Sequence, residues 1–288
     1  MLKRLLPTAK GVYARINDHH LTLVAGGVAF FAFLSVFPAI ATSISLYGLV
    51  ADAGTVQENI DAITGFIPAE VKELLFSRMR DVASEQSSAL TWGLVVGTLV
   101  SLWSANKAMK AIAKGLNITY EKKEDRGFLK INIVTLALTI VTSLVSILVI
   151  VIAVVLPIVV NYFLSQGTAQ VLTLVLSWLL LVAVLMGLFL LLYRYAPARD
   201  RRPHIKDSMP GALFSTTLII VGSIAFSFYV KNFGTFDEEY GAIAAVVITL
   251  LWLYLGSLIF LIGAEFNGEG QALSSDKNTG KSEVSEHD

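Results

Sequence analysis

Glu265 is the acidic side chain best placed to do chemistry, because it ends a long apolar stretch. It follows 25 uncharged residues, Tyr240 to Ala264. A helix of that length covers the hydrocarbon core of a bilayer, about 30 Å thick, so the carboxylate is expected at or just inside an interface. There it can carry a proton, bind a cation or neutralise a basic group. The alternative is that Glu265 simply reaches water or pairs with a basic loop residue such as Arg126 or Arg194.

Two asparagines are candidates to share a polar cluster with Glu265. Asn267 follows it by two residues, and Asn106 ends an earlier uncharged run that begins at Ser88. The membrane topology derived below puts both run ends on the same side. We therefore treat Glu265, Asn106 and Asn267 as candidate residues for transport or ion coupling.

The segment RYAPARDRRPHIKD, residues 194–207, carries five bases and two acids. Its two prolines are incompatible with a regular helix, so it is expected to be a basic loop. Its arginines can bind lipid headgroups or phosphates, although a role in setting membrane orientation is the simpler interpretation. The headgroup candidates are Arg194, Arg199, Arg201 and Arg202.

The histidines do not form a metal-binding pattern. They are His19, His20, His204 and His287, none of which lies inside an apolar run or an HxHxDH-like cluster. The adjacent pair is more typical of interfacial polar residues than of metal ligands. The chain has no cysteine, which excludes disulfides, thiolate metal sites and a cysteine nucleophile. We expect no catalytic site, no metal and no cofactor, and hence no enzyme.

The composition indicates a membrane protein. Hydrophobic residues make up 55% and charged residues 15%, with a mean hydropathy of +0.69. Soluble domains have roughly 45–50% apolar and 25% charged residues. Uncharged runs between charged segments predict an all-α polytopic membrane protein with six transmembrane helices. The expected spans cover about residues 22–50, 88–106, 131–160, 171–193, 208–230 and 241–265.

The remaining segments have simpler interpretations. Residues 52–87 hold seven acids and three bases and are expected to form an outer cap of short amphipathic helices. Residues 269–288 are polar and predict a disordered cytoplasmic tail. Pro38 and Pro157 are expected to bend their spans.

Lysine and arginine residues are sorted by side. With the N-terminus in the cytoplasm, the inner segments hold 18 of the 22 Lys and Arg residues and the outer segments hold four. The positive-inside rule therefore predicts an even number of spans with both termini in the cytoplasm. The net charge of zero hides this segregation and gives no reason to expect a nucleic-acid partner.

Three segments in order resemble the YihY / virulence factor BrkB family of bacterial inner-membrane proteins. They are AGGVAFFAFLSVFPAI, LWSANKAMKAIAKGLNITYEKKEDRGFLK and YGAIAAVVITLLWLYLGSLIFLIGAEFN. The resemblance covers roughly residues 10–268 and implies a six-span helical protein of the inner membrane. Family members have been connected with serum resistance, envelope lipid export and cation exchange, and the family long carried a ribonuclease label. The histidine pattern does not support nuclease chemistry.

Two functions from different classes fit these residues. The first is a transporter or lipid-handling translocator in which Glu265 couples ions or protons at the inner mouth. The second is a non-transporting scaffold whose basic loops bind anionic lipid and whose outer cap binds a partner protein. A homo-oligomer is compatible with either. A polar cavity reaching Glu265 would favour transport, and a closed bundle would favour the scaffold.

The topology predicts the result of a reporter fusion. A reporter that is active only in the periplasm, fused after Asp288, should be silent because the C-terminus is expected in the cytoplasm. The same reporter inserted at residues 52–87 should be active. Activity of the C-terminal fusion would contradict the even number of spans.

Overall fold

A computed structural model of the protein describes residues 9–50, 87–150, 152, 168–199, 203–233 and 242–285. Within these ranges the chain forms seven α-helices and no strand, which confirms the all-α prediction. The helices are α1 (Ala9–Asp18), α2 (Leu21–Val50), α3 (Ser87–Thr119), α4 (Phe128–Ile150), α5 (Thr168–Tyr195), α6 (Ile205–Phe233) and α7 (Ala242–Ser285).

Five of these helices are long and apolar enough to cross a membrane. Between 11% and 22% of the residues in each apolar window are buried, so most of their side chains are open to lipid. The protein is therefore a polytopic helical membrane protein. The candidate spans are Leu21–Pro38, Phe128–Val149, Val175–Tyr195, Ile205–Val230 and Ile243–Gly270.

The sixth predicted span lies in α3, which is not among the five candidates. This helix is continuous from Ser87 to Thr119, past the run that the sequence predicts to cross the membrane. Its first half mixes apolar residues with Ser, Thr and Gly, so it is less apolar than the others. The count of six stays a prediction.

Several sequence predictions fall outside the described residues. Residues 52–86 of the predicted outer cap do, and so do Pro157, Arg201 and Arg202. Pro38 lies inside α2, and the bend expected there stays a prediction.

The C-terminal segment differs from its prediction. Helix α7 continues to Ser285, although the composition of residues 269–288 predicts a disordered tail. The first turn of this extension is held by α1: a Cβ atom at Gly11 would collide with the Glu269 carboxylate, and one at Gly268 would lie 3.3 Å from Arg15 Nη2. These contacts between helices outweigh the weak helix propensity of the glycines.

The chain divides into two compact units. The first comprises Met1–Val28, Met109–Ala225 and Tyr254–Asp288, and the second comprises Ala29–Ala108 and Phe226–Leu253. The second unit has an aromatic contact between α6 and α7, where the Phe226 and Trp252 rings lie 5.4 Å apart. The first unit contains all the charged clusters described below.

The core of the first unit is centred on Tyr193 of α5. Its hydroxyl donates to the carbonyl oxygen of Phe260 at 2.7 Å and lies 2.9 Å from Ser215 Oγ. Its ring stacks on that of Phe260, with centroids 4.7 Å apart. Because all of this is buried, each hydrogen bond is costly to lose. Tyr193 thereby fixes α5 against both α6 and α7.

Helices α6 and α7 cross closely at a pair of glycines. A Cβ atom added at Gly263 would collide with Ser215 Oγ and would lie 2.7 Å from both Gly211 O and Tyr193 Oη. A Cβ atom at Gly211 would collide with Gly263 O. Glycine is therefore required on both helices, as is common where membrane helices approach each other at small residues.

This crossing predicts that Gly263→Ala destabilises the protein. Forcing a methyl group against backbone and buried side chains costs about 1–3 kcal/mol, which thermal unfolding in detergent would detect as a lower Tm. Gly187→Ala on α5 is the matched control, because a Cβ atom there meets nothing within 4 Å. It should be neutral or stabilise by up to about 1 kcal/mol through helix propensity. Equal shifts for both variants would contradict the close crossing.

Candidate functional site

Glu265 is fully buried and is held by two basic side chains from α1. Its Oε2 accepts a hydrogen bond from Arg15 Nε at 2.8 Å, and its Oε1 lies 2.5 Å from His19 Nδ1. The ionised carboxylate requires the His19 proton on Nδ1, since a carboxylate only accepts. The negative charge is thus balanced inside the protein and does not reach water.

Helix α1 positions both partners through its spacing and its C-terminal cap. Arg15 and His19 are four residues apart and so share one helix face. The helix ends when His20 adopts a left-handed conformation with φ 49°, and His20 N donates to Asn17 O at 3.1 Å. The next residue, Leu21, begins α2. This turn fixes the direction in which α1 leaves the first span.

The end of α3 supplies a second acid to the same cluster. Glu121 has φ 52°, and its N–H donates to Ile118 O while Lys122 N donates to Asn117 O at 2.8 Å. These bonds form a Schellman cap, in which the left-handed position is usually glycine. A glutamate there is strained by about 1 kcal/mol. The carboxylate compensates by binding Arg15 Nη1 at 2.9 Å.

Arg15 is the centre of this cluster. Besides the two carboxylates, its Nη2 donates to the carbonyl oxygen of Thr119 at 2.9 Å. Burial alone would lower the pKa of the Arg15 guanidinium, but the hydrogen bonds and charges of Glu265 and Glu121 outweigh it and raise the pKa. Arg15 therefore stays charged and connects α1, α3 and α7. We call Arg15, His19, Glu121 and Glu265 the charged cluster.

The charged cluster leads from solvent to the protein interior. The exposed side-chain fraction falls from 67% for Glu121 to 22% for Arg15, 16% for His19 and 0% for Glu265. His19 Nε2 lies 4.0 Å from Glu121 Oε1, and its other ring nitrogen contacts Glu265. His19 is therefore hydrogen-bonded to the buried carboxylate, while its 4.0 Å separation from the exposed one is beyond hydrogen-bond distance.

Asn267, two residues after Glu265 on α7, binds backbone groups at the start of α6. Its Oδ1 accepts from Gly211 N at 2.7 Å, and its Nδ2 donates to Ser208 O at 3.2 Å. Asn106 lies in the second unit, where its Oδ1 is buried without a hydrogen-bond partner among the described residues. The predicted meeting of Asn106 with Glu265 and Asn267 stays a prediction.

Arg126 does not pair with Glu265 as the sequence suggested. It forms a bidentate ion pair with Glu124, with both N–O distances at 2.7 Å, and donates to Ala196 O at 3.0 Å. These bonds lower the pKa of the Glu124 carboxyl. Asn117 donates to Glu124 at 2.8 Å and accepts from Ala198 N at 2.7 Å. This second network ties the loop after α3 to the end of α5.

The headgroup candidates Arg194 and Arg199 line one cavity with Arg126. Arg199 lies over the ring of Tyr120, 3.8 Å from its centroid. Burial raises the pKa of the Tyr120 hydroxyl to about 12. The side chains that contact Glu265 are thus not in this basic segment, although Tyr120 feels the charges of both Arg199 and Glu265.

Sequence reasoning missed Arg15, His19 and Glu121 as neighbours of Glu265. A signal for two of them was present: Arg15 and His19 lie on one helix face directly before the first span, on the side where the topology puts Glu265. Glu121 had no such signal, because its position depends on the left-handed cap. Among the described residues, no group of three or more His, Asp or Glu side chains is arranged to hold a metal ion.

Comparison with known proteins gives one family and several relatives. Residues 12–287 match the family described as Virulence factor BrkB. A ribonuclease-like protein of Bacillus subtilis, YfkH, is 27% identical over 90% of this chain and 93% of its own length. UPF0761 membrane proteins of Alteromonas mediterranea and Cronobacter sakazakii are 26% and 24% identical over 88% and 91% of this chain, and over 83% and 87% of theirs. No solved structure matches.

The ion pair predicts a non-additive pair of substitutions. Arg15→Gln leaves Glu265 buried without its cation and should lower the free energy of unfolding by roughly 3 kcal/mol. Adding Glu265→Gln should restore part of the loss, because the uncompensated charge is removed. Thermal unfolding of both single variants and the double variant measures the coupling.

Lys114→Gln on α3 is the control for this cycle, since Lys114 is exposed and belongs to no ion pair in the described part of the chain. It should change the stability by less than about 0.5 kcal/mol. Strict additivity of Arg15→Gln and Glu265→Gln would show that the pair is not coupled.

Proposed function

The chain belongs to the virulence factor BrkB family, and on that premise we propose that it is a transporter or lipid-handling translocator of the bacterial inner membrane. Glu265 is the ion- or proton-coupling residue, and both termini face the cytoplasm. The proposed role is not enzymatic.

The observation that carries this proposal is the charged cluster. Ionisable groups inside a membrane span are costly and are by default functional. A purely structural acid at a helix end could have remained exposed at the interface. Glu265 instead lies at the inner end of a series of charged groups that starts at the exposed Glu121. Such a series is suited to guiding a proton or cation from the cytoplasmic side toward the buried carboxylate.

Helix α1 is the proposed gate of this site. Glu265 is completely buried because Arg15 and His19 cover it. A cation can reach the carboxylate once α1 moves away, since the two basic side chains would leave with it. Protonation of Glu265 would also release α1, because it would weaken the contacts of Glu265 with Arg15 and His19. Transport then alternates between a closed state, with α1 bound, and an open state.

The contact between α1 and Glu265 of α7 supports the proposal that both termini lie on one side of the membrane. The first span begins at Leu21, two residues after His19, and the last candidate span ends near Glu265. Since these two ends touch, they lie at the same membrane face. This arrangement favours an even number of crossings with both termini on one side.

The second candidate function is the scaffold, and one observation favours it. The cavity lined by Arg194 and Arg199 is not lined by Glu265, which is sealed by α1. A closed cluster of this kind also suits a protein that binds anionic lipid and a partner without transporting anything. In that case Arg15 and Glu265 act as a structural clamp.

Reconstitution in liposomes distinguishes the two functions. Proton and cation flux and lipid exchange between leaflets are measured for the wild type and Glu265→Gln. The transporter should move at least one of these, and Glu265→Gln should abolish its dependence on the ion gradient while the protein stays folded. Asp18→Asn, an exposed carboxylate on the same helix α1, is the matched control and should behave as the wild type.

Two results would contradict the proposal. If the folded wild type moves neither ions nor lipid, the scaffold is the better function. If Glu265→Gln transports with unchanged ion dependence, the protein is a transporter but Glu265 does not couple it.

A further inference from the structure

A basic cavity of about 430 Å³ lies between the start of α4 and the end of α5, outside the charged cluster. Four cationic side chains and one acid line it, together with a tyrosine and small or apolar residues. A volume of this size suits a small organic headgroup. The charged lining residues are Arg126, Lys130, Arg194, Arg199 and Asp125.

The cations of this cavity exceed its acids. Arg126 is already bound to Glu124, which adjoins the cavity without lining it. Against these four cations stand Asp125 in the lining, Glu124 beside it and Asp207, whose charge acts on Arg199, so the formal surplus is +1. A positive surplus in a concave, partly buried site favours an anion.

The arginines are held in place before any ligand arrives. Arg126 is fixed by Glu124 and Ala196 O, and Arg199 by the ring of Tyr120. Burial lowers the pKa of Arg199, although the charges of Tyr120 and Asp207 partly offset this. Arg194 Nε is buried and has no hydrogen-bond partner within the described residues, so an acceptor is missing there.

The cavity lies beside the start of the candidate span Phe128–Val149. Lys130 and Val134 both line it and are one helical turn apart on α4, so it extends from the loop into the span. Tyr195, a residue type typical of membrane interfaces, is also in the lining. Beside Lys130, the side chains of Phe128 and Leu129 are 85% and 71% exposed, as expected for contact with acyl chains.

We propose that the basic cavity binds the phosphate monoester headgroup of a membrane lipid, with Lys130 and Arg194 contacting the phosphate and the acyl chains lying along α4. A phosphate monoester presents three acceptor oxygens and carries between one and two negative charges at pH 7, whereas a phosphodiester presents two such oxygens and carries one charge. The inference rests on the lipid-binding part of the proposed function and names the headgroup class; binding is measured apart from transport, so either can fail alone.

A binding experiment with three probes tests the site. The full-length protein in phosphatidylcholine nanodiscs is titrated with phosphatidic acid, a monoester, and with phosphatidylglycerol, a diester. Inorganic phosphate is the third probe. We expect phosphatidic acid to bind at least about tenfold more tightly than phosphatidylglycerol, because one additional charge-assisted hydrogen bond has about this effect. Inorganic phosphate should compete weakly, since it lacks the acyl chains.

Two variants and a control locate the binding. Lys130→Gln and Arg194→Gln should each weaken phosphatidic acid binding by about tenfold or more. Lys123→Gln removes the same charge from the exposed loop after α3, outside the cavity, and should change binding by less than about twofold. Thermal unfolding checks that each variant is folded. If one cavity variant does not fold, the other is sufficient to test the site.

The outcomes separate the possibilities. Monoester preference that both cavity variants weaken and the control does not supports the proposal. Equal binding of phosphatidic acid and phosphatidylglycerol overturns the phosphate monoester as the ligand. Inorganic phosphate competing as strongly as phosphatidic acid overturns a lipid source. If Lys123→Gln weakens phosphatidic acid binding as much as the cavity variants do, the lipid is attracted by diffuse surface charge, and the proposed site is overturned.

Discussion

The burial of one carboxylate constrains the end of the first unit at which α1 and α7 meet. Removing Glu265 from water is unfavourable unless a cation and hydrogen-bond donors replace its hydration. Arg15 and His19 provide both, and they do so from a helix that precedes the first span. Helix α1 therefore cannot lie freely on the membrane surface. It must stay bound to α7 unless a proton or another cation neutralises Glu265.

Arg15 extends this constraint to a third element. Its remaining donors bind Glu121 and Thr119 O at the end of α3. The strained cap at Glu121 and the left-handed turn at His20 are both located beside this one guanidinium. Strain of this kind persists only where surrounding contacts determine the backbone, and here the charge pairs do so. The same end of the first unit is fixed further by Asn117 and Asn267, which satisfy backbone groups of neighbouring elements.

The sequence predicted the large-scale architecture because hydropathy and charge distribution act over whole helices. The apolar helices and the basic character of the segment after α5 follow from such patterns. The pairing partners of Glu265 could not be predicted in this way, since any of several cations on the predicted cytoplasmic side could neutralise it. Pairing with Arg15 and not Arg126 depends on the backbone turn at His20 and on the ion pair between Glu124 and Arg126, both of which are local effects. The helical extension to Ser285 was likewise missed, because contacts of Gly268 and Glu269 with α1 are not visible in composition.

The contact between Arg15 and Glu265 joins residues 250 positions apart in a chain of 288. During synthesis Arg15 leaves the ribosome 250 residues before Glu265. The basic side chains of α1 therefore lack their carboxylate partner until α7 has been inserted. Closure of the inner end is then a late step of biogenesis, and a truncated chain that lacks the last helix would have nothing to hold its first one.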